Sequence, residues 1–262
     1  MEDLPRPIPP HDAHTRSVLS DGADAVSAMS RAAEAIGLEA IAVTDPVRLD
    51  TSREDLEERV AEIERVASRS SVRVIPGGEC ELLDSTGRLS LPPRAEEALP
   101  LVLAAIGPKT RGIAREVPAS RSRLLENVFG AYSAVVREER VDVIADPFNL
   151  GRFPAPLGPA DLPRAYVRDL ARLMVKHEVA LELSARAWWW HPSLSLGEFA
   201  RAWSSILAVF AIEDVKFVAG TGARSAVEVG NNYFTRRMMR LSGIELSQVV
   251  NLRSLAGRTR RR

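Results

Sequence analysis

The segment His11-Asp-Ala-His-Thr-Arg-Ser-Val-Leu-Ser-Asp-Gly22 holds two histidines, two aspartates, an arginine and a closing glycine directly after a proline-rich lead-in. Neutral imidazoles and carboxylates at short spacing are what a divalent metal site requires, because both offer lone pairs at neutral pH. Two histidines in H-x-H spacing on a strand would aim both rings to one face, since side chains alternate with period two. Here the residue two places after His14 is Arg16, which is permanently cationic and cannot ligate a metal. Further ionisable groups lie at the ends of apolar runs: Asp45 closes LEAIAVTD, Glu79 follows Gly77-Gly78, Asp146 closes VDVIAD, and Arg186 and Arg224 follow later runs.

The elements that must position these groups alternate along the chain. Apolar residues at helical spacing predict helices over Asp24–Ile36, from Thr51 or Ser52 through Val66, over Leu124–Val136, over Val167–His177 and over Phe199–Phe210. Short continuous apolar runs predict strands over Leu38–Asp45, Val72–Leu82, Leu101–Gly107, Val141–Asp146, Val179–Ala185 and Lys216–Thr221, with Ile8 starting a first one. A hairpin is expected around Thr86-Gly87, and an arginine-rich surface loop with nothing to bury from Lys109 to Ser122. The chain beyond Ser225 reads as helical. About seven apolar strands between amphipathic helices argue for a parallel sheet covered on its outer side, closed into a barrel. Barrel enzymes carry their chemistry at the C-terminal strand ends, where Asp12, His14, Asp45, Glu79, Asp146, Arg186 and Arg224 all fall.

Composition sets the frame. The 262 residues balance 35 basic against 35 acidic side chains, so no bulk field favours nucleic acid or membrane. One cysteine, Cys80, rules out an internal disulfide and suits a reducing compartment. No apolar run approaches the roughly 20 residues of a membrane span, and no apolar leader core is visible. The expectation is a cytoplasmic protein with one domain over residues 1–257, then a basic tail, 258–262, expected to be disordered.

The order of the strand-end motifs resembles the PHP (polymerase and histidinol phosphatase) family. Asp12-Ala-His-Thr-Arg-Ser17 is similar to that family's D-L-H-T-H-S, and Ser20-Asp21-Gly22 to its S-D-G. Ala42-Val-Thr-Asp45-Pro46 resembles its I-T-D-H, and Pro76-Gly-Gly-Glu79 the segment with its bridging glutamate. Ala145-Asp146-Pro147 stands where a G-H-P is expected, Leu181-Glu182-Leu183-Ser184 resembles an E-I-N segment, and Gly220-Thr-Gly-Ala-Arg224 takes the place of G-S-D-A-H. The resemblance spans nearly the whole chain. It implies a distorted seven-stranded (β/α)7 TIM-like barrel with a site for two or three divalent ions and phosphoester hydrolysis.

Position by position, His14, Asp21 and Glu79 are kept. Arg16, Pro46 and Ala104 replace histidines, Asp146 replaces another with a group still able to ligate, and Gly222 and Arg224 replace an aspartate and a histidine. The chain has only four histidines, and neither His177 nor His191 obviously refills the site. Without metals, Asp12, Asp21, Asp45, Glu79 and Asp146 would repel one another. Arg16 and Arg224 answer that repulsion with fixed positive charge in fork geometry. A salt-bridge network in place of the metal cluster is therefore expected, and no cofactor.

Three functional readings stay open. In the first, the chain is a binding or regulatory pseudoenzyme whose Arg16, Arg224 and Arg186 hold a phosphorylated small molecule or other anion, or which engages a protein partner. In the second, His14, Asp21, Glu79 and Asp146 gather one divalent ion (Zn, Mn or Mg) and the chain is a phosphoric-ester hydrolase with a reduced site. In the third, it is a nucleic-acid-associated structural subunit, similar to the PHP-like protein of ribonuclease P. That subunit would use Arg236, Arg237, Arg240 and the basic tail. Trp188-Trp189-Trp190 offers a stacking platform, a cover for the barrel mouth or a subunit contact. Cys80 reads as a buried structural thiol, and Ser17 and Ser20 have no triad partners.

Overall fold

The computed structural model describes residues 10–107, 113, 120–138, 140–153 and 155–256. Its opening segment forms a strand, β1 (His11–Thr15), buried along its whole length. Helix α1 (Val26–Ala35) then buries Val26, Met29 and Ala33, the stripe expected from helical spacing. Strand β2 (Ala40–Val43), a two-residue strand β3 (Pro46–Val47) and helix α2 (Arg53–Ala67) follow. Ser52 caps α2 by accepting from Asp55 N–H, and the Asp55 side chain returns the bond to the Ser52 backbone.

Strands β4 (Arg73–Glu81) and β5 (Leu101–Ala105) are joined through a hairpin-like excursion, where Leu82 bridges Leu89 antiparallel and Gly87 turns at φ +84°. Helix α3 (Arg121–Arg137), strand β6 (Val143–Ile144), helix α4 (Arg164–Lys176) and strand β7 (Ala180–Ser184) come next. The chain closes with α5 (Leu196–Ile212), β8 (Phe217–Gly220), α6 (Tyr233–Ser242) and α7 (Leu252–Ala256).

The strands lie in the order β1-β2-β4-β5-β6-β7-β8, every neighbouring pair parallel, with β3 added beside β4. The end of β1 meets the chain just past β8 at a parallel bridge, Thr15 to Ala223, where Arg16 N–H donates to Ala223 C=O at 2.7 Å. The result is a seven-stranded parallel sheet nearly closed into a TIM-like α/β barrel. No helix among the described residues is long and apolar enough to cross a membrane.

Two apolar layers hold it. Inside the barrel, Ala13, Ala42, Ile75, Leu103, Val143 and Val218 pack together, and Leu252 and Leu255 of α7 plug the end where the strands begin. Small alanines on several strands keep this interior narrow enough to fill with side chains. Outside, the helices bury their apolar stripes against the sheet, around Tyr132, Phe148, Phe199, Trp203 and Phe210.

Two expectations need correction. The strand predicted over Val141–Asp146 is only two residues long, because Asp146 and Phe148 adopt left-handed backbone (φ 42° and 58°) and turn the chain out of the ladder. Within the loop predicted to bury nothing between Lys109 and Ser122, Ile113 is completely buried in the outer core. Apart from Ile113 and the residues from Ser120 onward, that loop lies outside the described residues, as does the basic tail.

Candidate functional site

Strand β1 delivers His14 to the C-terminal end of the barrel, fully buried. Its Nδ1 lies 3.0 Å from Glu182 Oε1 on β7 and its Nε2 lies 3.3 Å from Glu79 Oε2 on β4. Burial works against protonation of this imidazole. The two carboxylates outweigh it and hold the His14 pKa well above the ordinary histidine value. Burial likewise favours the neutral form of Glu79, yet His14 and Arg16 pull its pKa down to about 2.

Arg16 lies just beyond β1. One terminal nitrogen donates to both carboxylate oxygens of Asp21, at 3.0 and 3.2 Å, and the other to Glu79. Its side chain is only 11 % exposed, so the guanidinium sits between two carboxylates and not in solvent. Arg224, past the end of β8, reaches the same Asp21 at 3.5 Å. Arg186, past the end of β7, pairs with Glu228 instead.

Asp146 reaches the mouth through its unusual backbone. Its N–H donates to Glu182 Oε2 at 2.6 Å, and its carboxylate accepts from Ser184 Oγ at 2.8 Å. The next left-handed residue, Phe148, donates its N–H to the Tyr132 hydroxyl at 3.2 Å. A carboxylate and a phenol thus fix a turn that would otherwise be strained. His14, Asp146 and Glu182 each bring one ligating atom to within 4.8 Å of the others, the one such group among the described residues.

The structure separates the expected acidic cluster into different jobs. Asp12 is fully buried and accepts from Thr221 N–H (3.0 Å), Thr221 Oγ1 (2.5 Å) and Gly230 N–H (3.0 Å), which ties β1 to the chain following β8. Asp45 accepts from Ser17 N–H and Oγ, both at 2.8 Å, and from Ser20 Oγ. Neither aspartate lines the cavities at the mouth. Ser17 and Ser20 are accordingly donors that hold a loop.

Two adjoining cavities occupy the mouth. The larger, about 440 Å³, has Arg16, Arg48, Arg224, Asp21, Glu79 and Asp146 in its walls. The smaller, about 190 Å³, is walled by Arg16, Arg152, Arg186 and Arg224, with His14, Asp146, Trp189 and Trp190. Arg152 lies 5.4 Å over the Trp190 ring and Arg186 lies 5.6 Å over the Trp189 ring, so each guanidinium is steadied on an indole face.

Sequence reasoning left Glu182, Arg48 and Arg152 out of this site. Glu182 was visible as a lone carboxylate within an apolar strand, but only the fold places it against His14. Arg152 lies in the proline- and glycine-rich loop after β6, where nothing in the sequence separates it from other surface arginines.

Solved structures share this barrel at low sequence identity. A PHP-family histidinol phosphate phosphatase from Lactococcus lactis subsp. lactis, solved with zinc, L-histidinol and phosphate, matches with a TM-score of 0.65 at 14 % identity. The match covers 90 % of this chain and 94 % of that one. A chain of archaeal ribonuclease P, solved with mature tRNA, matches with a TM-score of 0.51 at 14 % identity over 88 % of each chain. No protein-family model and no curated protein matches the sequence. At such identities the likeness is one of fold.

Proposed function

We propose that the chain is a binding protein for a phosphorylated or similarly anionic small molecule, with guanidinium charge at the barrel mouth in place of a multinuclear metal site. The observation that carries this reading is Arg16, held between Glu79 and Asp21 at the position where the family resemblance expects a histidine ligand. Of the positions that carry ligands in that family, Arg16, Pro46, Ala104, Gly222 and Arg224 offer no lone pair to a metal. The donor set is therefore too small for two or three ions.

Binding follows from the same groups. Arg152, Arg186 and Arg224 surround a recess deep enough for a phosphate-sized group. Planar guanidinium forks are suited to bidentate contact with such oxyanions. Arg224 is held to Asp21 only at 3.5 Å and is 47 % exposed, so it can turn to a ligand at small cost. The neighbouring carboxylates of Glu182 and Glu79 raise the pKa of His14, which works against a general-base role at neutral pH.

The test is ligand-induced stabilisation of metal-stripped protein. Inorganic phosphate and a simple phosphomonoester should raise the melting temperature in a saturable way, and Arg186→Gln/Arg224→Gln should abolish the rise. Elemental analysis giving two or more tightly bound ions per chain would overturn the reading.

One observation favours a second reading. His14, Asp146 and Glu182 bring three ligating atoms within 4.8 Å, enough donors for a single divalent ion. Such an ion would polarise a phosphoryl oxygen and activate water. In that case His14, Asp146 and Glu182 would hold it, and Arg16 and Arg224 would orient the phosphate. One ion per chain, lost in Asp146→Asn, would favour this reading.

A further inference from the structure

We infer that the outer face of α6 is a binding surface for single-stranded nucleic acid. Tyr233 is 77 % exposed, and Arg236, Arg237 and Arg240 are exposed with it. Their three- and four-residue spacing places all four on one helix face. Thr235, Met238, Met239 and Ser242 occupy the opposite, buried face.

This arginine face is unlike others on the molecule. On α4, Arg168 and Arg172 both pair with Glu213, and on α2, Arg53 and Arg65 pair with Glu57 and Glu62. Helix α6 contains no acidic residue, and among the described residues none of its three arginines has an ion-pair or side-chain hydrogen-bond partner. Three uncompensated guanidinium groups around an exposed phenol ring are matched to a ligand that repeats both negative charge and flat rings.

The packed side of α6 anchors it beside the end of β7, where Thr235 Oγ1 donates to Leu183 C=O at 3.1 Å. Phe234 packs on Phe199 at 6.2 Å, and Phe199 packs on His191 at 5.0 Å. The turn between Leu183 and His191 presents Trp188, 37 % exposed, and Trp189, 53 % exposed. An exposed ring among exposed arginines suits single strands, whose bases stack on aromatics while their phosphates meet cations. A membrane would need an outward apolar face, and the apolar face of α6 is buried in the outer core.

The surface shares no residue with the groups tested for barrel-mouth binding, so either can fail while the other stands. Full-length protein is titrated with a fluorescein-labelled oligouridylate, read by anisotropy across a salt series. The logarithm of the affinity should fall linearly with the logarithm of salt, and the slope should shrink by about 2 in the triple variant Arg236→Gln/Arg237→Gln/Arg240→Gln. Tyr233→Ala should cost about tenfold in affinity without changing the slope. These exposed positions should leave the melting temperature unchanged, which checks folding. No binding at low salt, or equal binding by both variants as a tail-only contact would produce, overturns the inference. So does an acidic peptide or an anionic vesicle that binds as tightly as the oligonucleotide and ignores Tyr233→Ala.

Discussion

The imidazole of His14 and the carboxylate of Glu182 meet at 3.0 Å inside the barrel, from strands 168 residues apart in sequence. Both are buried, and Glu182 also receives the Asp146 N–H, so one carboxylate orients the histidine and the strained turn beside it. Removing one member of a buried pair leaves the other charge uncompensated. Glu182→Ala should cost about 3–5 kcal/mol in urea unfolding, and Glu182→Gln less. An unchanged midpoint for Glu182→Ala would mean the pair contributes nothing.

Gly220 on β8 makes that meeting sterically possible. A Cβ there would overlap Glu182 Oε1 and approach His14 Cβ to 2.8 Å. Gly220→Ala should therefore destabilise by about 1–3 kcal/mol and shift the His14 ring resonances in NMR spectra.

Asp12 acts on the seam between the first and last strands. Its carboxylate accepts from Thr221 N–H, Thr221 Oγ1 and Gly230 N–H. Hydrogen bonds to a charged group contribute about 1.5–3 kcal/mol each, so Asp12→Ala should loosen barrel closure severely. Amide exchange should accelerate first at Thr221 and Gly230, before the β4–β5 ladder.

Stability should fall on acidification through His11. This ring is buried, neither nitrogen has a hydrogen-bond partner among the described residues, and burial lowers its pKa to about 4. The unfolded chain binds the proton first, near pH 6.5, so stability is intact above that pH. It is then lost down to about pH 4, by roughly 3 kcal/mol. His191, also lowered to about 4 by burial, adds to the same limb. His11→Leu should flatten part of this slope in unfolding midpoints measured from pH 4 to 8. His14 works oppositely, because its raised pKa adds stability below pH 6.5 that is lost as the pH rises through the folded value.

Arg16 offers a test by reversal. Its guanidinium contacts Glu79 and Asp21, so Arg16→His would place a neutral imidazole where those carboxylates and His14 converge. The variant should lose about 3 kcal/mol without metal and regain stability with added zinc or manganese, while the parent protein does not respond. A metal-dependent melting temperature in the parent would contradict the proposed guanidinium site.

Much of the architecture was legible before any coordinates. The helices α1, α2, α4 and α5 fall where apolar spacing predicts them, and β2, β4, β5, β7 and β8 lie within the predicted strands. The failures have local causes. Strand β6 is short because Asp146 and Phe148 take left-handed backbone, a conformation aspartate tolerates but phenylalanine does not advertise. Strand β3, at Pro46–Val47, was not visible because two residues carry no periodicity. Ile113 lies in a segment whose polar residues predicted nothing to bury, and only the outer core explains its burial.

The site divides in the same way. Residue types and spacing alone placed His14, Arg16, Glu79, Asp146 and Arg224 at strand ends, since parallel α/β units send every strand in one direction. They also indicated that Arg16 and Arg224 stand where the resembled family has ligands. Which carboxylate each cation meets was decided only by the tertiary structure. Arg16 takes Glu79 and Asp21, Arg186 takes Glu228, and Asp12 and Asp45 serve backbone and hydroxyl donors away from the mouth. Periodicity is a property of a few consecutive residues, whereas these pairings depend on register and curvature across all seven strands. They exist only once β1 and β8 have come together.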